Sequence, residues 1–248
     1  MSFGGIADDY DKFRPEPPAI ALDWLLPAHC EVAVDLGAGT GLMTRALAAR
    51  ASHVIAVEPD DRMRSVLAAR SPQVEVLAGR GEDIPLPTSS ADALIVSSAW
   101  HWMDHERAVP EIGRVLRDQG RLGVIWTGRD RGTSWLHADE WFADAHAETT
   151  DPREDAEPAR GEHRDIALLD PGLFGNIETE LFRFTRSMDM PDLVEWLTTY
   201  SRVIMASDTA KDLGRARASA ALAERFPGES RIDIPMRSLC WRADRNPR

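Results

Sequence analysis

The chain has 248 residues, and its 43% hydrophobic content suits the core of one α/β domain. Lysine and arginine number 29 against 41 aspartates and glutamates, giving a net charge of −12; with no basic run of the kind that tracks phosphates, nucleic acid is not expected as a partner. Cys30 and Cys240 lack metal or redox spacing, no apolar stretch reaches spanning length, and Met1-Ser2-Phe3-Gly4 begins no signal peptide, so a soluble cytoplasmic protein with two reduced thiols, no metal and no membrane partner is expected.

Residues 1–15 are polar and aromatic, and Pro17 and Pro18 open a first helix over 17–27. A strand over 31–36 runs into a glycine-rich turn, and Leu42, Ala46 and Leu47 keep helical spacing to Arg50. A second strand covers 53–58. Asp60 caps a helix to Arg70, with Met63, Val66 and Leu67 inward. An edge-type strand spans 73–78, a Gly-, Pro- and Ser-rich loop 79–91, and a fourth strand 91–97. His105 to Arg117 is helical in period, Gly120 marks its end, and Leu122 to Trp126 is a fifth strand. Strand and helix thus alternate about five times, which implies a doubly wound, mostly parallel sheet covered on both faces.

Beyond residue 128 the pattern changes. A Trp-bearing segment at 133–148 precedes a charge-dense stretch, Glu148 to Arg164, that reads as a solvated loop or insertion. Ile177 to Thr185 alternates as a strand, and 190–205 and 209–226 read as helices. A last strand over 231–241 puts Ile232, Ile234, Met236, Ser238 and Cys240 on one face. The expected organisation is one domain: a 1–15 lid, a 16–127 core, a variable 128–177 insertion and a 178–248 C-terminal part.

The most informative segment is Val32-Ala33-Val34-Asp35-Leu36-Gly37-Ala38-Gly39-Thr40-Gly41, with the acid Glu58 about 20 residues after the turn. In a doubly wound sheet that spacing sets the turn beside the acid at the carboxyl ends of adjacent strands, where ligands bind. A carboxylate there can accept from both hydroxyls of a ribose. Dinucleotide enzymes want a third glycine where this chain has Leu42. The Asp-x-Gly-x-Gly-x-Gly pattern instead resembles the first motif of class I S-adenosylmethionine-dependent methyltransferases.

That resemblance covers most of the chain and extends to Gly81-Glu82-Asp83-Ile84-Pro85-Leu86-Pro87 and Ala99-Trp100-His101-Trp102-Met103-Asp104. It is similar above all to the bacterial small-molecule branch that includes trans-aconitate methyltransferase. The resemblance implies a seven-stranded sheet with its last strand inserted antiparallel, and S-adenosyl-L-methionine as cofactor. It implies cofactor contacts from Asp35, Gly37, Ala38, Gly39, Thr40 and Gly41, from Glu58 and Pro59, and from Ser97. Asp35 suits the cofactor's ammonium, and Asp83 and Ile84 match the acid and backbone amide that meet adenine. Asp83 as a simple turn cap and Glu58 as a solvated strand end are the alternatives.

The acceptor should lie at the switch point beside His101, whose imidazole could take a proton or merely orient a loop. Trp100 and Trp102 cannot share one helical face, so at least one should line a cavity. Tyr10, Phe13 and Arg14 precede the first helix, where an aromatic face suits a sulfonium or simply packs. Trp196 and Tyr200, four apart on a helix, line either the substrate pocket or the core.

The expected activity is methyl transfer to a small-molecule acceptor, at oxygen or carbon before nitrogen. Ser97-Ser98-Ala99-Trp100 stands where an Asn/Asp-Pro-Pro-aromatic motif would mark amino-group methylation of DNA bases or protein glutamine. Three other readings stay open: a NAD-dependent oxidoreductase, a methyltransferase fold reused for elimination or cyclisation, and a non-enzymatic partner protein. Acceptor identity and oligomeric state are not legible.

Overall fold

The computed structural model describes residues 13–130, 132–149 and 169–247. Seven strands form one sheet in the order β3-β2-β1-β4-β5-β7-β6. They are β1 (Val32–Leu36), β2 (His53–Val57), β3 (Glu75–Leu77), β4 (Ala91–Ser97), β5 (Leu116–Arg129), β6 (Phe174–Asp189) and β7 (Arg231–Arg245). The first five pair in parallel, and β7 lies antiparallel between β5 and β6. Chain order reverses between β1 and β4, so a crevice opens at their carboxyl ends.

Helices α1 (Ala19–Leu25), α2 (Leu42–Ala48), α3 (Asp61–Arg70) and α4 (His105–Val115) cover the sheet. Leu22, Leu25 and Leu47 pack on one face with Ala33 and Ile95, and Val109 and Ile112 pack on the other with Val34 and Leu94. Inner strands are buried on both faces, which is why β1 and β4 read as continuous apolar runs. Asp60 caps α3 through its Oδ1, which accepts from the Arg62 amide at 2.9 Å and the Met63 amide at 3.1 Å.

A second core stands beyond the sheet's carboxyl edge. The short helices α5 (Ala138–Trp141), α6 (Ala143–Glu148), α7 (Met190–Thr198) and α8 (Ser201–Ile204) and the long α9 (Asp208–Arg225) pack there on the outer part of β7. Phe142, Trp196, Leu197 and Leu222 meet Ile232, Ile234 and Met236 in this cap. A Cβ on Gly214 would stand 2.2 Å from Phe142 Cδ1, so α9 rides directly on that ring.

Some boundaries differ from the expectation. The fourth helix ends at Val115, and Leu116 already pairs with Ala91; Gln119, at φ 63, then carries the chain into regular pairing. β6 begins at Phe174 and runs to Asp189, well beyond the alternating stretch. It is an edge strand exposed on both faces over 176–180, so a period of two reports burial only from Phe182 to Met188. The helix expected over 190–205 breaks after Thr198, where the Thr199 hydroxyl donates to the Trp196 carbonyl at 2.6 Å.

Candidate active site

The glycine turn leaves β1 with Gly37 at φ 73 and Gly39 at φ 57, a conformation that costs glycine little. The Gly37 and Ala38 amides donate to the Val57 carbonyl at 2.8 and 3.2 Å, which ties the turn to the end of β2. A Cβ on Gly37 would lie 2.7 Å from that of Ala99, whereas one on Gly39 would meet nothing within 4 Å. The first glycine therefore lets the turn touch the loop after β4, and the second faces open space. That loop begins with Ser98 at φ 55, a strained setting for a serine at the switch point.

Two buried carboxylates flank the turn. Glu58 accepts from the Gly39 amide through Oε2 and from the Asp60 amide through Oε1, both at 2.9 Å. Burial raises its pKa, and the two amides pull against that. Asp35 is fully buried; its Oδ2 accepts from the Thr44 hydroxyl at 2.5 Å, and its Oδ1 has no hydrogen-bond partner among the described residues. Burial pushes the Asp35 carboxyl up to about 7, with the Thr44 bond opposing and the Glu58 charge adding to the rise.

A cavity of about 1080 Å³ runs from this turn to the helical cap. At one end lie Gly37, Gly39, Glu58, Pro59, Gly81, Glu82 and Ser97. At the other, under the cap, lie His101, Trp102, Trp126, Arg129, His146, Tyr200, Arg202 and Arg237. A smaller cavity of about 60 Å³ shares Arg14, Gly37, Gly39 and Ser97 with it and adds Asp35, Ala38 and Thr40. His101 sits in the 3₁₀ turn Trp100–Trp102, its ring 4.8 Å from that of Trp102. His146 is held below the usual histidine pKa, by burial first and then by Arg202 and Arg129, against the pull of Asp139. Burial raises the Tyr200 phenol, while Arg14 and Arg129 oppose. The Arg14 guanidinium lies 5.3 Å from the Tyr200 ring centre and donates to the Thr199 carbonyl at 2.8 Å.

A glycine turn and an acid on the next strand are shared by several nucleotide-binding families, so relatives decide among them. Residues 34–124 match the model of a methyltransferase domain. An uncharacterised methyltransferase of Mycobacterium tuberculosis is 35% identical over 245 residues, spanning 98% of this chain and 95% of that protein. The chain belongs to the class I S-adenosylmethionine-dependent methyltransferases. An uncharacterised methyltransferase-like protein of Schizosaccharomyces pombe is 27% identical over 246 residues, spanning 96% and 93% of the two chains. A solved structure from Anaeromyxobacter dehalogenans, named as a candidate type II methyltransferase, aligns with TM-score 0.72 at 26% identity, covering 95% of this chain and all of that one. Membership removes the dinucleotide-oxidoreductase and non-enzymatic readings.

Within this methyltransferase several expected contacts fall elsewhere. Trp100 is wholly buried; it packs edge-on to Trp241 at 5.1 Å, so Trp102 alone of the pair lines the cavity. Trp196 is also wholly buried, in the cap core, and does not line the cavity, because the α7 face that carries it and Leu193 packs in one core with Leu222. The Ile84 amide donates to Glu111 Oε2 at 3.2 Å and so is already engaged. Asp83 lines neither cavity; its backbone pairs with Arg80, and its neighbour Glu82 faces the space instead. Gly41 lines neither cavity and, at φ 90, opens α2 against Leu67. Phe13 is buried in the cap core, Arg14 reaches both cavities, and Tyr10 lies outside the described residues.

Sequence reasoning passed over Arg129, His146, Arg202 and Arg237. Arg129 ends β5 on the carboxyl edge, where any doubly wound fold puts ligands, so topology could have found it. The other three come from the cap and from β7, whose positions no local pattern announces. Among the described residues no helix is long and apolar enough to cross a membrane, and no three His, Cys, Asp or Glu side chains gather as metal ligands.

Proposed function

We propose that this methyltransferase transfers a methyl group from S-adenosylmethionine to a small-molecule acceptor held under the helical cap. The observation that carries the reading is the single continuous cavity joining the Gly37–Glu58 end to the His101–Tyr200 end. Its volume, about 1080 Å³, suits a cofactor and one modest acceptor, and the roof of short helices suits neither a duplex nor a protein chain. The aromatic-His-Trp turn, whose His101 and Trp102 line the cavity, agrees with the small-molecule branch that includes trans-aconitate methyltransferase.

The residues present fit the cofactor. Asp35 lines the small side cavity, and its Oδ1, unbonded among the described residues, suits a cationic donor such as the cofactor's ammonium. Glu58 presents the remaining lone pairs of a buried carboxylate to ribose hydroxyls, and Gly39 leaves room for close approach. Asp83 stays the assigned neighbour of adenine only through its loop, with Glu82 the nearer carboxylate.

S-adenosylmethionine, when bound, supplies an electrophilic methyl on a sulfonium. The protein's share is alignment, exclusion of water and, for a neutral acceptor, removal of a proton. His101 is the assigned proton acceptor for an oxygen or carbon nucleophile. Trp102 and Tyr200 wall the acceptor, and Arg14, near the end of the 1–15 segment, reaches into the same cavity.

Calorimetry with S-adenosylhomocysteine tests the donor half, and transfer of a labelled methyl group across a panel of hydroxy, enol and carboxylate compounds tests the acceptor half. Saturable binding with label on a small molecule is expected. Binding of the cofactor without transfer to any small acceptor, but with labelling of added protein or nucleic acid, would overturn the acceptor class; elimination or cyclisation products would favour the reused fold.

A further inference from the structure

Two buried polar atoms meet at the small side cavity. Asp35 Oδ1 and the Thr40 hydroxyl make no hydrogen bond among the described residues, and both residues line that cavity. Asp35 is fully buried and Thr40 nearly so. Buried polar atoms are ordinarily bonded, because an unsatisfied one keeps the whole cost of leaving water. At about 60 Å³ the cavity takes a few water-sized groups, not a sugar or a base. It shares Gly37, Gly39 and Ser98 with the main cavity, so a ligand in the one can reach into the other.

The protein's own groups support a charge on Asp35 poorly. Its side chain accepts one hydrogen bond, from the Thr44 hydroxyl on α2. Burial raises the carboxyl to about 7 against that bond; Glu58 at the end of β2 adds to the rise, and Arg45 on α2 opposes it. Arg14, ahead of α1, is the other ionisable side chain lining the small cavity among the described residues. From β5 comes Thr127, and from β4 and the loop after it come Ser97 and Ser98. A cation placed against Oδ1 reverses the balance, because an opposite charge at contact favours the ionised form.

We propose that Asp35 gives up a proton as the donor's ammonium enters, with the Thr40 oxygen as the ammonium's second acceptor, so that the amino-acid end of the donor is read by proton exchange. This rests on S-adenosylmethionine being the donor, as read above. The Asp35 O–H bond breaks, the proton passes to solvent, and the carboxylate accepts from the ammonium, which keeps its own protons. A ligand with the adenosine part but no ammonium leaves Asp35 protonated. The subsite therefore selects the amino-acid-bearing donor, and the selection strengthens as pH rises towards 7.

The test compares S-adenosylhomocysteine with methylthioadenosine, which keeps adenine, ribose and sulfur but has no ammonium. Both ligands meet Glu58 through the ribose, so its titration cancels in the comparison. Calorimetry near about pH 6, in buffers of different ionisation enthalpy, should show S-adenosylhomocysteine releasing about one proton more than methylthioadenosine. Between about pH 5.5 and 7 the ratio of the two affinities should rise by up to about tenfold per pH unit. Asp35→Asn keeps a group that accepts from Thr44 and should abolish both the extra proton and the rise. Thr40→Val should lower the ratio by about tenfold and leave the proton release in place. The proton count is read on the parent protein, so a variant that fails to fold does not decide the matter. Equal proton release with the two ligands, or extra release that persists in Asp35→Asn, overturns the exchange; an unchanged ratio in Thr40→Val overturns the part given to Thr40. Failure of S-adenosylhomocysteine to bind at any pH overturns the donor reading and the exchange with it.

Discussion

The amide of Gly39 donates to Oε2 of Glu58 at 2.9 Å, joining the turn after β1 to the end of β2. The residue that makes room for a ligand is thereby held by the residue assigned to grip it. Glu58→Ala removes an acceptor from two protein amides, Gly39 and Asp60, and from the ribose. Hydrogen bonds to a charged group contribute about 1.5–3 kcal/mol, so affinity for S-adenosylhomocysteine should fall by about one to two orders of magnitude. Calorimetry reads this directly, and unchanged affinity would remove Glu58 from the cofactor site.

Asp35 makes stability depend on pH. Its folded pKa, about 7, lies above the ordinary aspartate value of 3.8, so the folded state holds the proton more tightly than the unfolded chain. Its contribution is therefore fully present below about pH 4 and is lost as pH rises to about 7. Glu58 shifts in the same direction. Asp35→Asn keeps a group that can accept from Thr44 and removes the titration, so its thermal midpoint should fall less than that of the parent between pH 4 and 7. Parallel profiles in the two proteins would show that Asp35 does not titrate in this window.

The two tryptophans around His101 should separate cleanly. Trp100 is wholly buried, and Trp100→Ala should cost about 3–5 kcal/mol of stability. Trp102 is 52% exposed at the cavity, so Trp102→Ala should change stability by less than about 0.5 kcal/mol while weakening acceptor binding. Urea unfolding and KM for the acceptor are the measurements. A large stability loss in the Trp102 variant would reassign that ring to the core.

For a neutral acceptor, His101→Ala should lower the transfer rate by about 10²–10⁴-fold with cofactor affinity little changed. The parent rate should then fall at low pH as the imidazole protonates, and the variant should lose that limb. A carboxylate nucleophile needs no base, and the loss would then appear in KM. Matching pH–rate profiles with comparable rates in the two proteins would leave alignment and desolvation as the main sources of catalysis.

Most of the glycine-turn end of the cavity was legible because its information is local. Asp35, Gly37, Gly39 and Glu58 lie on one β-turn-α-β unit, where strand period, turn chemistry and the acid's spacing all follow from neighbours in sequence. The alternation of apolar runs with helical periods likewise set the parallel half of the sheet. The end under the cap was not legible, because Arg14, Arg129, Tyr200 and Arg237 come from distant parts of the chain and meet only in the folded structure. Burial decided the rest. Trp100 carries the same ring as Trp102, and Trp196 lies one helical turn from Tyr200, but a period shows only that a face is apolar, not whether the neighbour across it is core or cavity. The sequence by itself determined the fold and the strand ends that carry the glycine turn and Glu58; tertiary packing alone decided which aromatic and cationic side chains line the far end of the cavity, because those side chains meet only through contacts distant in sequence.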